Sequence, residues 1–481
     1  MNRLTHARLL KQRIVVLGYG LNNKALVGYL LDHDCKVTVR DANPLKEAEL
    51  LAEYANAGTA LTIEIMPNIL DRLEGFDVIF RTPAIPADVK ELLKAKKRGS
   101  VVTSQTGFFM ERCPSKVIGI TGTKGKGTTA TLTANILDAG YLDGKVYLAG
   151  NIGVDPFSFL DDLTVHDLVV LELSSFQLED VATGPDIAVV LHVTSDHLDH
   201  HKDNAAYWAA KARLLEYQEP DSVAIICGDY PEMDYFAKKT KGTLLRYYRH
   251  KAGRQAAWVD NQDGKEVIFY QLGETLDSFE LPHRHLLGEH NLENILPAVL
   301  VGAWFQISGT IMAPVIAKFG GLAHRLSVVP NEAGIQAYDD SIATTPESCI
   351  VALEAMPATV PVHLLAGGKD KGHVYMKLAE AIAARCASVT LLPGSATSKL
   401  EKALKEVLKK TPAYGCEILH AEGQTPAECM EMGLKQLAPY LNEGDIVLLS
   451  PAESSDLPFL EYKARGDAFA AAVHYLKKKD A

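Results

Sequence analysis

The stretch that decides the fold is Val117–Asn135, VIGITGTKGKGTTATLTAN. A short apolar run is followed by closely spaced glycines, a lysine and then a helix-forming segment, which is the order of a phosphate-binding loop. Glycines let backbone N–H groups surround an anion, and Lys126 at the start of the helix supplies a point charge for the β- and γ-phosphates. A turn that merely connects two elements is the structural alternative. Thr128 and Thr129, directly behind the lysine, favour the phosphate loop.

The loop departs from the commonest phosphate-binding pattern, G-x-x-x-x-G-K-[ST], at two positions. Ile120 stands where that pattern has glycine, and Gly127 stands where it has a hydroxyl for Mg²⁺. The form T-G-T-x-G-K-x-T fits instead, and it leaves Thr128 or a water to contact the metal. The predicted nucleotide-binding residues of the loop are Gly122, Thr123, Lys124, Gly125, Lys126, Gly127, Thr128 and Thr129.

Length and composition exclude several classes of protein. A chain of 481 residues predicts two to four domains. A formal net charge of −11 argues against a general binder of nucleic acid or membrane surfaces. No apolar run reaches the roughly 20 residues that span a bilayer, and the basic N-terminus does not resemble a signal peptide. Seven dispersed cysteines favour reduced thiols and a cytoplasmic protein over a zinc ribbon.

The residues before the phosphate loop predict a small α/β domain over 1–112. The stretch 14–20, IVVLGYG, reads as a buried strand running into a glycine turn, and a second strand ends at Asp41. This is a Rossmann layout, with Asp41 near the position of a ribose-binding carboxylate. Asn23 replaces the third glycine of the dinucleotide fingerprint, so we predict a nucleotide-like ligand and not a redox cofactor.

Polar residues follow the predicted strands of the central domain, 113–321. Glu172 lies near the end of a hydrophobic strand and is a candidate Mg²⁺ ligand. In TSDHLDHH (194–201), His197 is predicted to be functional, whereas His200 and His201 are interpreted as part of a solvated loop. Lys211 lies on a predicted helix among alanines, where a surface lysine with a buried stem is the usual outcome. Further along, Asn294 could read an adenine edge or simply begin a helix.

The predicted third domain, 322–481, alternates strands and helices and should form a second doubly wound parallel sheet. Ligands bind such sheets outside the carboxyl ends of the strands. Polar residues collect at these predicted ends, namely Asp340, Thr344, Lys369, Lys371, Ser454 and Ser455. Arg325 falls at the domain junction, where it could reach phosphates.

Taken together, the motifs resemble the Mur ligase family across essentially the whole chain. The matching stretches are TGTKGKGTT (121–129), AGNIG (149–153), LELSSFQL (171–178), TSDHLDHH (194–201), AAK (209–211), GEHNLEN (288–294), AHR (323–325), DSIATT (340–345), GGKDKG (367–372) and LLSPA…ARGD (448–467). LELSSFQL is specific for the glutamate-adding branch. The resemblance implies an α/β fold with a Rossmann-like N-terminal domain, a P-loop ATPase-like central domain and a Rossmann-like C-terminal domain.

The resemblance also implies an ATP-dependent acid–amino-acid ligase of peptidoglycan precursor synthesis. ATP would phosphorylate the carboxylate of UDP-N-acetylmuramoyl-L-alanine, and the amine of glutamate would attack the acyl phosphate. It implies that Lys126 and Thr128 hold phosphates and that Glu172 and His197 hold Mg²⁺, joined by Lys211 as a carbamate. The remaining implied contacts are Leu21, Asn22 and Asp41 to uridine, Asn151 and Ser174 to muramyl-alanine, Asn294, Arg325 and Asp340 to ATP, and Thr344, Lys371 and Ser455 to glutamate. A monomer without nucleic-acid partner or membrane insertion is expected.

Departures from the family pattern concentrate in the glutamate pocket. Ile342 and Thr345 stand where lysine and asparagine are usual, and Asp456 stands where an apolar residue is usual. These changes alter how carboxylates are held, and a related ligase that adds L-glutamate also carries a D-S-I-x-T-T-P stretch. The enantiomer is therefore open, and the resemblance as a whole favours D-glutamate. The phosphate loop is also compatible with a ligase resembling folylpolyglutamate synthase, and with a non-catalytic protein that binds ATP.

Overall fold

The structure is a computed structural model that describes residues 9–196, 201–250, 255–284, 286, 289–411, 415–474 and 476. Within these ranges the strands form three separate sheets, each flanked by helices. The chain is therefore an α/β protein, as the sequence predicts.

The first sheet has the strand order β3-β2-β1-β4-β5, and its strands run parallel. Its central strand is the predicted IVVL run, whose four residues are all buried because helices cover both faces of a parallel sheet. This order is Rossmann-like. The strands are β1 Ile14–Leu17, β2 Val37–Asp41, β3 Leu61–Ile65, β4 Val78–Arg81 and β5 Val101–Ser104.

The second sheet has the order β14-β13-β12-β11-β10-β9-β6-β8-β7. Strands β6 to β12 pair in parallel, whereas β12, β13 and β14 form an antiparallel meander at one edge. The strands are β6 Lys116–Thr121, β7 Val146–Gly150, β8 Leu168–Glu172, β9 Ile187–Val190, β10 Val223–Cys227, β11 Thr243–Tyr248, β12 Ala256–Gln262, β13 Lys265–Leu272 and β14 Thr275–Glu280.

The third sheet has the order β15-β16-β20-β17-β18-β19. Neighbouring residues of β17 point into different cores, because Leu364 packs in one apolar cluster and Leu365 in the other. The prediction of a wholly parallel sheet is wrong at one edge, where β15 pairs antiparallel with β16. The strands are β15 Ser327–Val329, β16 Gln336–Asp339, β17 Val362–Ala366, β18 Cys386–Leu391, β19 Glu417–His420 and β20 Ile446–Leu449.

Helices connect most of the parallel strands. Their bounds are Leu21–Asp32, Leu45–Glu53, Lys90–Lys97, Gln105–Arg112, Lys126–Gly140, Ser175–Leu178, Asn204–Glu216, Asp234–Ala237, Leu292–Trp304, Gly309–Lys318, Pro346–Ala355, Met376–Arg385, Thr397–Lys410, Pro426–Leu437 and Tyr462–His474. None of the helices in the described ranges is long and apolar enough to cross a bilayer.

The chain forms two compact units. One comprises the described residues up to Pro282 together with Leu292–Ile316, and it holds the first and second sheets. The other comprises the described residues of His283–Asn291 and those from Ala317 onward, and it holds the third sheet. Each sheet lies inside one of the ranges 1–112, 113–321 and 322–481, and the division into three domains at those boundaries stays a prediction.

The cysteines are structural thiols. All seven lie in the described ranges and are unpaired with one another, and six are buried. Burial raises the pKa of Cys227, Cys349 and Cys416 to about 12, so these thiols stay protonated and unreactive at neutral pH.

Candidate active site

The predicted phosphate loop connects β6 to the helix Lys126–Gly140 at the carboxyl end of the strand. Gly125 has a φ of +82°, and a Cβ added there would lie 2.0 Å from Asn294 Oδ1. At Gly122, with φ +156°, a Cβ would lie 2.6 Å from Leu191 Cβ. Both positions therefore require glycine, because a side chain would collide with Asn294 or Leu191.

Replacing Gly125 by alanine is expected to lower the free energy of unfolding by about 1–3 kcal/mol and to weaken ATP binding at least about tenfold. Both effects have the same physical causes: the new methyl group would collide with Asn294, and the positive φ at position 125 disfavours alanine. Thermal unfolding and calorimetric titration with ATP measure the two effects. Gly264 is the matched control, since its φ is +83° and nothing lies within 4 Å of its Cβ position. Equal ATP affinity for both variants would contradict the predicted loop.

Lys126 begins the helix, and its side chain reaches back over the loop. Its Nζ donates to the carbonyl oxygens of Thr123 (3.0 Å) and Gly122 (3.3 Å). The ammonium therefore lies at the mouth of the loop, beside the first N–H groups of the helix, where an anion is stabilised. Lys124 of the same loop is exposed.

Lys211 is the most unusual residue of the site, because its side chain is almost completely buried. Its Nζ donates to Gly122 O at 2.7 Å and to Thr121 Oγ1 at 3.3 Å. Burial, with a contribution from Lys126, shifts the pKa of Lys211 well below its ordinary value, while Asp196 and Glu172 oppose the shift. The surface-lysine interpretation is wrong, and the amine is uncharged over more of the pH range than a surface lysine.

Tyr207 is a site residue that the sequence interpretation missed. The aromatic ring of Tyr207 lies 4.7 Å from Lys211 Nζ, and its hydroxyl is 3.1 Å from Thr123 Oγ1. Thr123 Oγ1 in turn accepts from Thr194 N at 2.9 Å. The i, i+4 spacing of Tyr207 and Lys211 on one helix could have revealed this contact, since such residues share a face.

Glu172 and Thr128 supply the oxygen atoms that a divalent cation would need. Both side chains are buried, Glu172 at the carboxyl end of β8 and Thr128 in the first turn of the helix behind the loop. Carboxylate and hydroxyl oxygens are ligands that suit Mg²⁺, which usually takes few protein ligands. In the described ranges, no three His, Cys, Asp or Glu side chains come together as a metal site.

The predicted muramyl-alanine contacts lie beside Glu172. Asn151 is exposed, and its backbone N–H donates to Glu172 O at 2.9 Å. Ser174 begins the helix Ser175–Leu178 and forms a capping box with Gln177. The sequence Ser-Ser-Phe-Gln therefore supplies both residues of the capping box. This cap fixes Ser174 next to the end of β8.

Of the three histidines in the 194–201 stretch, the structure describes only His201. His197, predicted to be functional and a metal ligand, lies outside the described residues, as does His200. His201, interpreted as part of a solvated loop, is buried, so that interpretation is wrong. Its Nε2 is 2.9 Å from Ser175 Oγ and its ring stacks on Phe176, contacts that sequence spacing does not reveal.

Asn294 belongs to the same compact unit as the loop and contacts it. Thr129 Oγ1 donates to Asn294 Oδ1 at 3.3 Å, and Asn294 is buried against Gly125. The structure thus brings together the loop, Lys126, Lys211, Glu172 and Asn294. Asn294 lies in the first turn of a helix, as one of its two sequence interpretations has it, and contact of its amide with an adenine edge stays a prediction.

In the first sheet, Asp41 ends β2 beside the glycine turn. Asp41 Oδ2 accepts from Tyr19 N at 2.7 Å and Oδ1 accepts from Asn43 N at 2.8 Å. The carboxylate therefore fixes the turn and retains lone pairs for a ligand. Leu21 and Asn22, the other predicted uridine residues, begin the helix Leu21–Asp32 next to this turn.

The second compact unit holds Asp340 and Arg325. Asp340 is buried, accepts from Ser450 Oγ at 2.8 Å and accepts from Leu326 N at 3.3 Å. Burial raises the pKa of Asp340 to about 7, against the opposing charge of the exposed Arg325. The two groups are therefore close enough to interact within this unit.

Thr344, Lys371 and Ser455 lie in loops that follow β16, β17 and β20, which are adjacent in the order β16-β20-β17. Lys371 is exposed, whereas Thr344 and Ser455 are half-buried.

Two of the departures from the family pattern have local explanations. Thr345 caps the helix Pro346–Ala355, and Asp456 accepts from Ser395 N and Oγ at 3.1 and 3.0 Å.

Comparisons with known proteins show which family and which fold this chain shares. The family profile described as Mur ligase middle domain matches residues 120–302, and the profile described as Mur ligase, glutamate ligase domain matches residues 324–453. A UDP-N-acetylmuramoylalanine–D-glutamate ligase of Clostridium acetobutylicum is 32% identical over 97% of both chains. A protein of the same name from Clostridium novyi is 34% identical, again over 97% of both chains.

Solved structures share the fold at low identity. The MurF ligase of Thermotoga maritima, solved in complex with ADP, is 16% identical with a TM-score of 0.56, covering 98% of this chain and 96% of its own. The UDP-N-acetylmuramate-alanine ligase MurC of Thermotoga maritima is also 16% identical with a TM-score of 0.56. The match covers 96% of this chain and 98% of the MurC chain. At this identity the likeness concerns the fold.

Proposed function

The chain belongs to the Mur ligase family, and on that premise we propose that it joins D-glutamate to UDP-N-acetylmuramoyl-L-alanine in peptidoglycan precursor synthesis. ATP is converted to ADP and phosphate in the reaction. The observation that carries the proposal is the buried Lys211 amine against the carbonyl of Gly122 in the phosphate loop. The relatives' names support D-glutamate over L-glutamate and over a folylpolyglutamate synthase-like activity.

The reaction requires that a carboxylate be made electrophilic. A carboxylate oxygen of the alanyl group attacks the γ-phosphorus of ATP, ADP leaves, and the resulting acyl phosphate is attacked by the amine of glutamate. The tetrahedral intermediate expels phosphate and forms the amide. Catalysis of such a sequence consists mainly of positioning and charge stabilisation. Lys126 and the backbone N–H groups at the loop stabilise the charge that develops on the phosphoryl oxygens.

The lowered pKa of Lys211 suits carbamylation. Only an uncharged amine attacks CO₂; the new N–C bond gives a carbamate anion, and one proton is released to solvent. Such a carbamate, Glu172 and Thr128 would together hold Mg²⁺, with His197 as a further ligand. Bound there, Mg²⁺ would neutralise phosphate charge.

The remaining substrate contacts are proposals of the same kind. Asn294, Arg325 and Asp340 hold ATP; Leu21, Asn22 and Asp41 hold uridine; Asn151 and Ser174 hold the muramyl-alanine portion; Thr344, Lys371 and Ser455 hold glutamate. We assign the substrate nucleotide to residues 1–112, ATP to 113–321 and the amino acid to 322–481. The reduced thiols and the nucleotide substrates fit a cytoplasmic enzyme, and we propose that it acts as a monomer.

Offering each enantiomer separately tests the proposed substrate. With UDP-N-acetylmuramoyl-L-alanine and ATP present, D-glutamate is expected to release phosphate at least about tenfold faster than L-glutamate, because one arrangement of carboxylates and amine fits a fixed pocket. A coupled phosphate assay and mass spectrometry of the product measure the outcome. Faster turnover with L-glutamate would reassign the substrate, and no phosphate release with either would favour a non-catalytic ATP-binding protein.

A further inference from the structure

The proposed amino-acid residues come from three loops that emerge side by side. The loop after β16 carries Thr344, the loop after β17 carries Lys371, and the loop after β20 carries Ser455. Strand β20 lies between β16 and β17, so its loop is the central one. The spacing of the three loops therefore sets the shape of the pocket that they would form.

Glu453 lies in the central loop, and its side chain is fully buried. Its Oε1 accepts from the Tyr375 hydroxyl at 2.5 Å, whereas no group in the described ranges is hydrogen-bonded to its Oε2. Burial raises the pKa of Glu453, with Tyr375 and His373 opposing the shift. Burying a carboxylate with only one of its oxygens hydrogen-bonded lowers the stability of the folded state. Such a group therefore suggests a role other than stability.

The contacts of Glu453 join all three loops. Through Tyr375 its carboxylate holds the far end of the loop after β17, the loop that carries Lys371. Its backbone carbonyl accepts from Arg465 Nη2 at 3.1 Å, and the same nitrogen donates to Ser341 O at 2.8 Å in the loop after β16. Glu453 thus connects the central loop to each of its neighbours.

Its immediate surroundings add backbone contacts between the same loops. Lys369 N donates to Ser454 O at 2.9 Å, and Gly367 N donates to Pro451 O at 2.8 Å. These bonds fix the first part of the loop after β17. They leave its second part, from Asp370 to Tyr375, to side-chain contacts, among which Tyr375–Glu453 is buried.

We propose that Glu453 is a positioning residue for the amino-acid substrate: its carboxylate, through Tyr375, sets the distance between the Lys371 loop and the Ser455 loop. The proposal rests on the proposed function, because it assumes that these loops bind the incoming amino acid. Glu453 acts through Tyr375 and not by touching the substrate. It therefore controls amino-acid affinity more than ATP or nucleotide affinity.

Steady-state kinetics on the full-length enzyme test this role. Glu453→Ala and Tyr375→Phe are each expected to raise KM for D-glutamate about tenfold to a hundredfold, the range for a lost hydrogen bond to a charged group. KM for ATP and for UDP-N-acetylmuramoyl-L-alanine should change less than about twofold. The double variant should be no worse than either single variant, since both remove one contact.

Two further variants separate positioning from folding. Glu453→Gln keeps an acceptor for Tyr375, so its KM for D-glutamate should stay within about threefold of wild type. Tyr338→Phe is the matched control, since Tyr338 is a buried tyrosine of the same unit whose hydroxyl donates to Gln336. If Glu453→Ala does not fold, the KM for D-glutamate of Tyr375→Phe is sufficient to test the proposal.

The outcomes distinguish this inference from the proposed function. Wild-type enzyme without glutamate-dependent ADP release would overturn the proposed function. An active wild type with unchanged KM for D-glutamate in Tyr375→Phe would overturn the inference and leave the function standing. Equal increases in KM for all three substrates would also overturn it, because they would indicate a general structural defect.

Discussion

Replacing Lys126 by alanine is expected to lower glutamate-dependent ADP formation at least about a hundredfold. The ammonium lies over the loop carbonyls of Gly122 and Thr123, where the β- and γ-phosphates of ATP would bind. Without it, the charge that develops on the transferring phosphoryl group loses the ammonium at the loop, which the backbone N–H groups of the loop do not replace. Initial rates with saturating substrates, followed by a coupled ADP assay, measure the loss.

Lys145→Ala serves as the control for this experiment. Lys145 is an exposed lysine of the same sheet region and has no place in the proposed site, so its rate should stay within about twofold of wild type. Thermal unfolding of both variants shows whether the fold is intact. A folded Lys126→Ala enzyme with wild-type ADP formation would disprove the phosphate loop.

Replacing Lys211 by alanine or by arginine is expected to reduce activity at least about a hundredfold. Arginine keeps a cationic side chain but cannot form the carbamate, so we expect it to lose as much activity as alanine. Formate supplied in solution should restore part of the activity of Lys211→Ala, because it offers a carboxylate to the vacated space. Because an ammonium does not react with CO₂, the carbamylated fraction of wild type should fall as the pH falls.

Nuclear magnetic resonance with carbon-13-labelled bicarbonate detects the modification directly. A carbamate signal in wild type that is lost in Lys211→Arg is the expected result. Lys239→Ala is the control, since Lys239 pairs with Glu216 at the surface of the same unit, and it should retain both signal and activity. Wild-type rates in Lys211→Arg would rule out the modification as a requirement.

Much of the fold was predictable because buried parallel strands have a strong local signal. IVVL, LVVLE and IVLL are apolar, β-branched runs that end in polar or glycine-rich turns, and each is a strand of the structure. The antiparallel strand β15 has no such signal. Its three residues, SVV, are too few, and its pairing with β16 is decided by tertiary contacts.

The candidate site was predictable only in part. The loop glycines and Lys126 form a contiguous motif, so their proximity follows from the chain itself. The burial of Lys211 and His201 does not, because alanines around a lysine and a run of histidines are equally compatible with a surface. Their environments are set by Gly122 and Thr121 in one case and by Ser175 and Phe176 in the other, all distant in sequence.

The contact between the phosphate loop and Asn294 has a consequence for biosynthesis. Thr129 and Asn294 are 165 residues apart, and the helix Leu292–Trp304 packs so closely that a Cβ on Gly302 would lie 2.8 Å from Ile136. At a translation rate of 5–20 residues per second, the ribosome needs roughly ten to thirty seconds to cover that interval. Throughout this time the nascent loop lacks the side chain against which Gly125 packs. The contacts of Asn294 therefore cannot assist the early folding of this region, and a chaperone that shields the unfinished sheet has a defined period in which to act.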